Sequence, residues 1–263
     1  MIKKAILVVS FGTSHADTRQ KTIDQIEEDI RRNYPEYSIY RAFTSKMIIR
    51  ILQQSDGIKI FTVSEAMEQM KNDGISDVII QPTHILNGIE NDLMLQNADL
   101  YKREFNSIKF GAPLLHETED YWKVINAFVK RLPELSENEA VVCMGHGTQH
   151  YTNASYAALD YMFKDQGYEN IYIATVEAYP SLSNIINKLK EKKYDKIILV
   201  PFMIVSGDHA KNDMAGDEDD SWKVILERDG FEVSCILEGL GENPEIRKIL
   251  LDHIDHALKT ERY

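Results

Sequence analysis

Two histidines and two glutamates stand where apolar runs of this 263-residue chain give way to glycine-containing turns. His146 lies between glycines in MGHGT just as such a run ends, so its imidazole is presented on a tight turn with little crowding. His209, in IVSGDHAKNDMAGDEDDSW, likewise follows an apolar run and a glycine. Glu177 interrupts the otherwise apolar IYIATVEAYP. A buried carboxylate without a partner is costly, so Glu177 is either at an exposed strand end or matched to a cation. Delivered to one edge, His146, Glu177 and His209 form a His/Glu/His set suited to a divalent transition metal with open coordination positions. Glu90, in HILNGIEND, is expected to approach from the opposite side as a further ligand or as a proton acceptor. His84 is a weaker candidate, in the core or behind the ligands.

The placement of these residues follows an internal repeat. Residues 77–90, DVIIQPTHILNGIE, are echoed by residues 195–209, DKIILVPFMIVSGDH. Pro82 matches Pro201 and Gly88 matches Gly207, and two residues beyond each glycine stand Glu90 and His209. A second echo joins ILVVSFGTSH (6–15) to VVCMGHGTQH (141–150), aligning Phe11-Gly12-Thr13 with His146-Gly147-Thr148. The chain reads as two related halves whose chemistry is not symmetric, because phenylalanine at position 11 cannot hold a metal.

The elements that must carry these residues alternate. Strands are predicted over 5–11, 38–43, 77–84 and 108–115, then over 140–144, 171–177, 196–204 and 233–237. Most are near-continuous Val/Ile/Leu runs, as expected of parallel strands covered on both faces. Helical spacing of apolar residues predicts helices over 17–33, 63–71 and 121–131 in the first half, and over 155–164, 181–192 and 244–258 in the second. The fold class is therefore α/β, two similar doubly wound domains with parallel sheets facing a central cleft. The division expected is 1–132 and 133–263, with the join near the polar stretch 132–139 and the C-terminal helix packed back on the first domain. Ligands of open parallel sheets gather beyond the carboxyl ends of the strands, where every candidate above lies.

Charge and composition narrow the classes of function. A net charge of -12 argues against nucleic acid, whose binding needs a basic face, and makes any polyanionic ligand depend on a local basic pocket. The segment RAFTSKMIIRIL offers Arg41, Lys46 and Arg50, with Arg19 near the first turn. SFGTS and GHGT match no phosphate-binding loop, so no nucleotide is expected. The acidic stretch 217–220 lacks EF-hand spacing and reads as a solvated loop. Cys143 and Cys235 sit in apolar runs and read as buried thiols. No run approaches the roughly eighteen apolar residues of a membrane helix. The run at 5–11 lacks signal-peptide features, so a cytoplasmic location is expected.

In their settings these residues closely resemble the class II tetrapyrrole chelatases of the anaerobic cobalt chelatase (CbiK) type. The likeness runs through LVVSFGTS, RAFTSKMIIR, HILNGIE, GAPLL, MGHGT, VEAYP, SGDHAKNDMAGDEDDSWK and GLGENPEIR. The segment around His209 is specific, since ordinary α/β packing does not demand it. The resemblance implies that His146 and His209 are metal-binding histidines, that Glu90 and Glu177 are active-site acids, and that a sirohydrochlorin-type tetrapyrrole lies in the cleft and receives Co(II) without ATP. Phe11, Thr13, Lys46 and Arg50 are expected to contact the substrate, whose eight carboxylates make basic contacts necessary. The alternatives within this reading are a chelatase for Fe(II) or Ni(II), or a carrier of metal or tetrapyrrole without turnover. The sequence leaves the proton acceptor open, and a homo-oligomer is compatible with it.

Overall fold

Apolar runs that must be covered on both faces pair as parallel strands, and the computed structural model, which describes residues 3–259, contains two sheets built this way. The strands are β1 (Lys4–Ser10), β2 (Tyr37–Phe43), β3 (Asp77–Pro82), β4 (Ser107–Phe110), β5 (Glu139–Gly145), β6 (Ile171–Thr175), β7 (Lys196–Pro201) and β8 (Glu232–Cys235). The first sheet has the order β2-β1-β3-β4 and the second β6-β5-β7-β8, with every pair parallel. The orders are the same when the second is counted from β5. The repeat is also kept in register: Val9 pairs with Pro82 and Met144 with Pro201.

Ten helices connect the strands among the described residues: α1 (Ala16–Lys21), α2 (Ile23–Asn33), α3 (Lys46–Ser55), α4 (Val63–Asn72), α5 (Ile89–Asp99), α6 (Thr118–Val129), α7 (Ala154–Asp165), α8 (Leu182–Lys192), α9 (Trp222–Arg228) and α10 (Pro244–Lys259). None is long and apolar enough to cross a membrane. Successive side chains of a strand point to opposite faces, and the core divides accordingly. Ala5, Leu7 and Val9 of β1 pack with Val63, Met67 and Met70 of α4. Ala140, Val142 and Met144 of β5 pack with α8 and α9. Ile6 and Val8, together with Val141 and Cys143, face a single cluster filled by α2, α6, α7 and α10. One apolar layer therefore belongs to both sheets.

Three expectations about boundaries change. The helix over 17–33 breaks at Thr22, which is fully buried with ψ of -80° and whose hydroxyl turns back to the Thr18 carbonyl at 2.6 Å. Strands expected to run to 84, 115, 177 and 204 stop at 82, 110, 175 and 201. Their apolar continuations, such as Leu114, Phe202 and Ile204, are buried as loops. The helices α3, α5 and α9 add to those expected from spacing.

The last helix, α10, follows the second sheet in sequence but packs on α6, α2, β3 and β4 of the first half. Its anchor is polar. His253 places Nε2 3.0 Å from Asp120 Oδ1 and Nδ1 3.0 Å from the Ala112 carbonyl, while Asp120 Oδ2 accepts from the amides of His116 and Glu117. Burial alone would raise the Asp120 carboxyl, but these hydrogen bonds hold it below its ordinary value of 3.8. Because the folded value is depressed, the pair contributes stability above the ordinary carboxylate range and loses it as pH falls through the folded value. His253→Ala leaves a buried carboxylate short of one partner and is expected to destabilise the protein by about 3–5 kcal/mol in urea unfolding at neutral pH. The difference from the wild type should shrink in acid, below the ordinary carboxylate value.

Candidate active site

The carboxyl ends of the strands continue into loops that carry the candidate residues, and backbone pairing brings two of them side by side. Beyond the β5–β6 ladder, the Glu177 amide donates to the His146 carbonyl at 3.0 Å and the Val176 amide to Gly145 at 3.0 Å. The two glycines around His146 are required by their neighbours. A side chain at Gly145 would meet the Tyr156 ring at 2.5 Å. One at Gly147, whose φ is +84°, would stand 2.9 Å from the Ala178 amide nitrogen. Tyr156 lies beneath this turn. Burial pushes its phenol up to about 12, with the backbone of Gly147 and His146 pulling the other way.

His209 comes from the loop after β7, where a π-helical segment, His209–Met214, begins. Its ring stands edge-on to that of His146, with centroids 4.8 Å apart and planes at 84°. Glu177 Oε2 is 3.7 Å from His146 Nδ1. One ligand atom from each of His146, Glu177 and His209 falls within 4.8 Å of the others. The three side chains are partly exposed, His146 by 38%, Glu177 by 55% and His209 by 33%, so an ion can reach them from solvent or from a bound partner. Glu177 lies two residues beyond the end of β6 and is exposed. Two imidazoles and one carboxylate at this spacing can hold a divalent transition ion while leaving coordination positions free.

The family model described as cobalt chelatase (CbiK) matches residues 4–259. The chain belongs to this family. It is 42% identical over 257 residues to the sirohydrochlorin cobaltochelatase of Salmonella typhimurium, covering 98% of this chain and 97% of that one. It is 31% identical over 263 residues to the sirohydrochlorin cobaltochelatase CbiKC of Nitratidesulfovibrio vulgaris, covering 99% and 92%. The solved structure of SirB from Bacillus subtilis with Fe3+ superposes with a TM-score of 0.65 at 14% identity, over 98% of this chain and 96% of that one, a likeness of fold.

The first half of the chelatase fold supplies a different set of residues. Phe11 occupies the position equivalent to His146, and the two ring centroids are 6.2 Å apart with their planes tilted by 53°. Glu90, the counterpart of His209, lies in the first turn of α5 and is not one of the three clustered ligands. Its Oε2 is buried without a hydrogen-bond partner among the described residues. It lines a cavity of about 520 Å³ together with Thr44, Lys46, Ser64, Leu93 and Asn97. His84 is buried, and the loss of solvation pushes its imidazole down to about 4, so it is neutral and stands apart from the cluster.

The four candidate cations separate. Lys46 and Arg50 lie exposed on α3, and Lys46 lines the cavity. Arg41 is bound by Glu27 and Asp24 of α2, and Arg19 is buried with a guanidinium nitrogen 3.4 Å from the Thr13 carbonyl. Neither is free to meet an acidic ligand. Thr13 is itself buried: its hydroxyl accepts from the His15 amide at 3.2 Å and stands against Gly207 of the other half. Asp213, whose Oδ2 is 2.5 Å from His209 Nδ1, precedes the acidic stretch 217–220 and was not singled out in the sequence. Its spacing of four residues from His209 is the signal that points to it.

The two glycine roles can be separated by stability. Gly147→Ala forces both a left-handed backbone and a contact with Ala178, and is expected to cost about 1–3 kcal/mol. Gly167→Ala, with φ of +87° but open space around it, should cost less in the same thermal unfolding measurement.

Proposed function

We propose that the protein inserts Co(II) into sirohydrochlorin, without nucleotide, as a cytoplasmic step in making a cobalt tetrapyrrole. The observation that carries the reading is the His146, Glu177 and His209 set at the strand ends, in a chain of the cobalt chelatase family. The sirohydrochlorin cobaltochelatases of Salmonella typhimurium and Nitratidesulfovibrio vulgaris, which the chain matches over nearly its whole length, support the choice of metal and tetrapyrrole. Residues 1–132 form one unit in this reading and residues 133–263 the other.

Insertion exchanges one divalent ion for two pyrrole protons, so the site must hold the metal loosely enough to release it and must provide a base. Imidazole and carboxylate donors suit the first need, since they lack the tight grip of several thiolates. A histidine nitrogen that holds the ion has no lone pair left for a proton. Glu90 does: its buried, unpartnered Oε2 is the carboxylate available to accept a pyrrole proton from the first-half side of the ring. Phe11, Met47, Ile89 and Leu93 are large exposed hydrophobic side chains on this half, and a flat macrocycle would cover them. Lys46 and Arg50 on α3 then meet the substrate's peripheral carboxylates, which the net charge of -12 would otherwise repel.

The visible spectrum of purified protein with Co(II) and sirohydrochlorin should change to that of the metallated product. His146→Ala and His209→Ala are expected to slow this change by orders of magnitude while leaving the fold intact by circular dichroism. Wild-type rates in both variants would remove the metal assignment. Arg50→Ala should raise the KM for sirohydrochlorin several-fold with kcat nearly unchanged, because a peripheral ion pair binds ground state and transition state alike. Side-by-side turnover with Fe(II) and Ni(II) tests the choice of cobalt.

A further inference from the structure

His209 opens a segment in which the chain departs from the α-helix. Across residues 209–214 the backbone widens to a π turn, with the Ala215 amide reaching the Ala210 carbonyl at 3.2 Å. The segment is clamped at both ends. Ala210 and Met214 are fully buried, and Ser221 Oγ donates to the Gly216 carbonyl at 2.7 Å. A side chain at Gly216 would stand 2.3 Å from the Asn212 carbonyl oxygen, so only glycine closes the turn. These constraints account for the specific run from His209 to Trp222, and they place Asp213 beside the His209 ring.

We infer that Asp213 is a positioning residue for His209, fixing the ring so that Nε2 faces the metal substrate. This inference rests on the reading of His146, Glu177 and His209 as the metal-holding set. A carboxylate only accepts hydrogen bonds, so the contact of 2.5 Å between Asp213 Oδ2 and His209 Nδ1 requires the proton on Nδ1 and leaves the lone pair of the neutral ring on Nε2. His146 has the same arrangement by a weaker means: its Nδ1 is 2.9 Å from the carbonyl of Gly147, a neutral acceptor. An anionic acceptor behind a ligating imidazole makes the ring a better donor as well as orienting it. The two histidines are therefore unequal, and His209 is the stronger ligand.

The test is Co(II) titration without tetrapyrrole, read by the ligand-field absorption of bound cobalt, in the wild type, Asp213→Ala, Asp213→Asn and His209→Ala. Steady-state rates at varied Co(II) and varied sirohydrochlorin accompany it. Asp213→Ala is expected to weaken Co(II) binding about 10- to 100-fold and to raise the KM for Co(II) in step, with the KM for sirohydrochlorin unchanged. Asp213→Asn keeps an acceptor oxygen without the charge and should lose less. Wild-type Co(II) affinity in Asp213→Ala, with binding lost in His209→Ala, would overturn the positioning role and leave the metal set standing. Unchanged binding in His209→Ala would overturn both. Should Asp213→Ala fail to fold, Asp213→Asn decides: a several-fold loss supports the role and wild-type affinity rejects it.

Discussion

The shared apolar layer between the two sheets is the constraint on which the rest depends. Ile6 and Val8 of β1 and Val141 and Cys143 of β5 are fully buried in one cluster, so neither sheet can cover its inner face alone. Helices α2, α6 and α7 fill that layer, and α10 closes it by returning to the first half, where the His253 and Asp120 pair fixes it. A duplicated unit that exposes an apolar face must bury it against its copy. Doing so sets the angle and distance between the two rows of strand ends, and hence places Phe11 opposite His146. The active site is a consequence of how two half-cores are joined.

The loops at those ends are held across the join as well as within each half. The Thr18 hydroxyl donates to the Ser206 carbonyl at 3.1 Å, Lys211 reaches Asp17 at 3.3 Å, and His150 stands 3.4 Å from Asp92. The exposed pairs contribute little stability individually. The buried Thr18 bond is different, because it ties the chain three residues before His209 to α1 of the first half. The clustered His146, Glu177 and His209 thus belong to the second half in sequence, while the first half helps to support their loops.

Much of this was legible in the residues. Apolar runs located the eight strands, and the two echoes named the pairs Phe11/His146 and Glu90/His209 that the sheets superimpose by topology. What overran was the strand ends, because apolarity reports burial rather than pairing: Phe202 and Ile204 are as apolar as a strand but serve the shared layer from a loop. Helix α5 escaped the periodicity argument because its apolar residues lie on two faces, Met94 and Ala98 inward and Ile89 and Leu93 outward. Outward apolar residues are what a binding wall requires and what amphipathic spacing cannot recognise. Arg41 could not be distinguished from Lys46 by sequence, since Asp24 and Glu27, which hold it, lie on another element 14 or more residues earlier.

The divergence of the two halves also resolves an electrostatic difficulty. In the proposed function an acidic chain accepts a ligand with eight carboxylates, and concentrating the metal on one side makes that feasible. In that reading the side bearing His146, Glu177 and His209 has its cation supplied by the substrate metal itself. The other half would then provide fixed positive charge, for which Lys46 and Arg50 stand exposed on α3. It must also keep an uncharged aromatic, Phe11, directly opposite His146. A second histidine at position 11 would add a ligand and slow release of the ion to the macrocycle, since each further donor must be displaced during insertion. Phenylalanine there would supply contact without coordination, so in the proposed function the loss of symmetry between the halves lets a site that captures a metal also give it up.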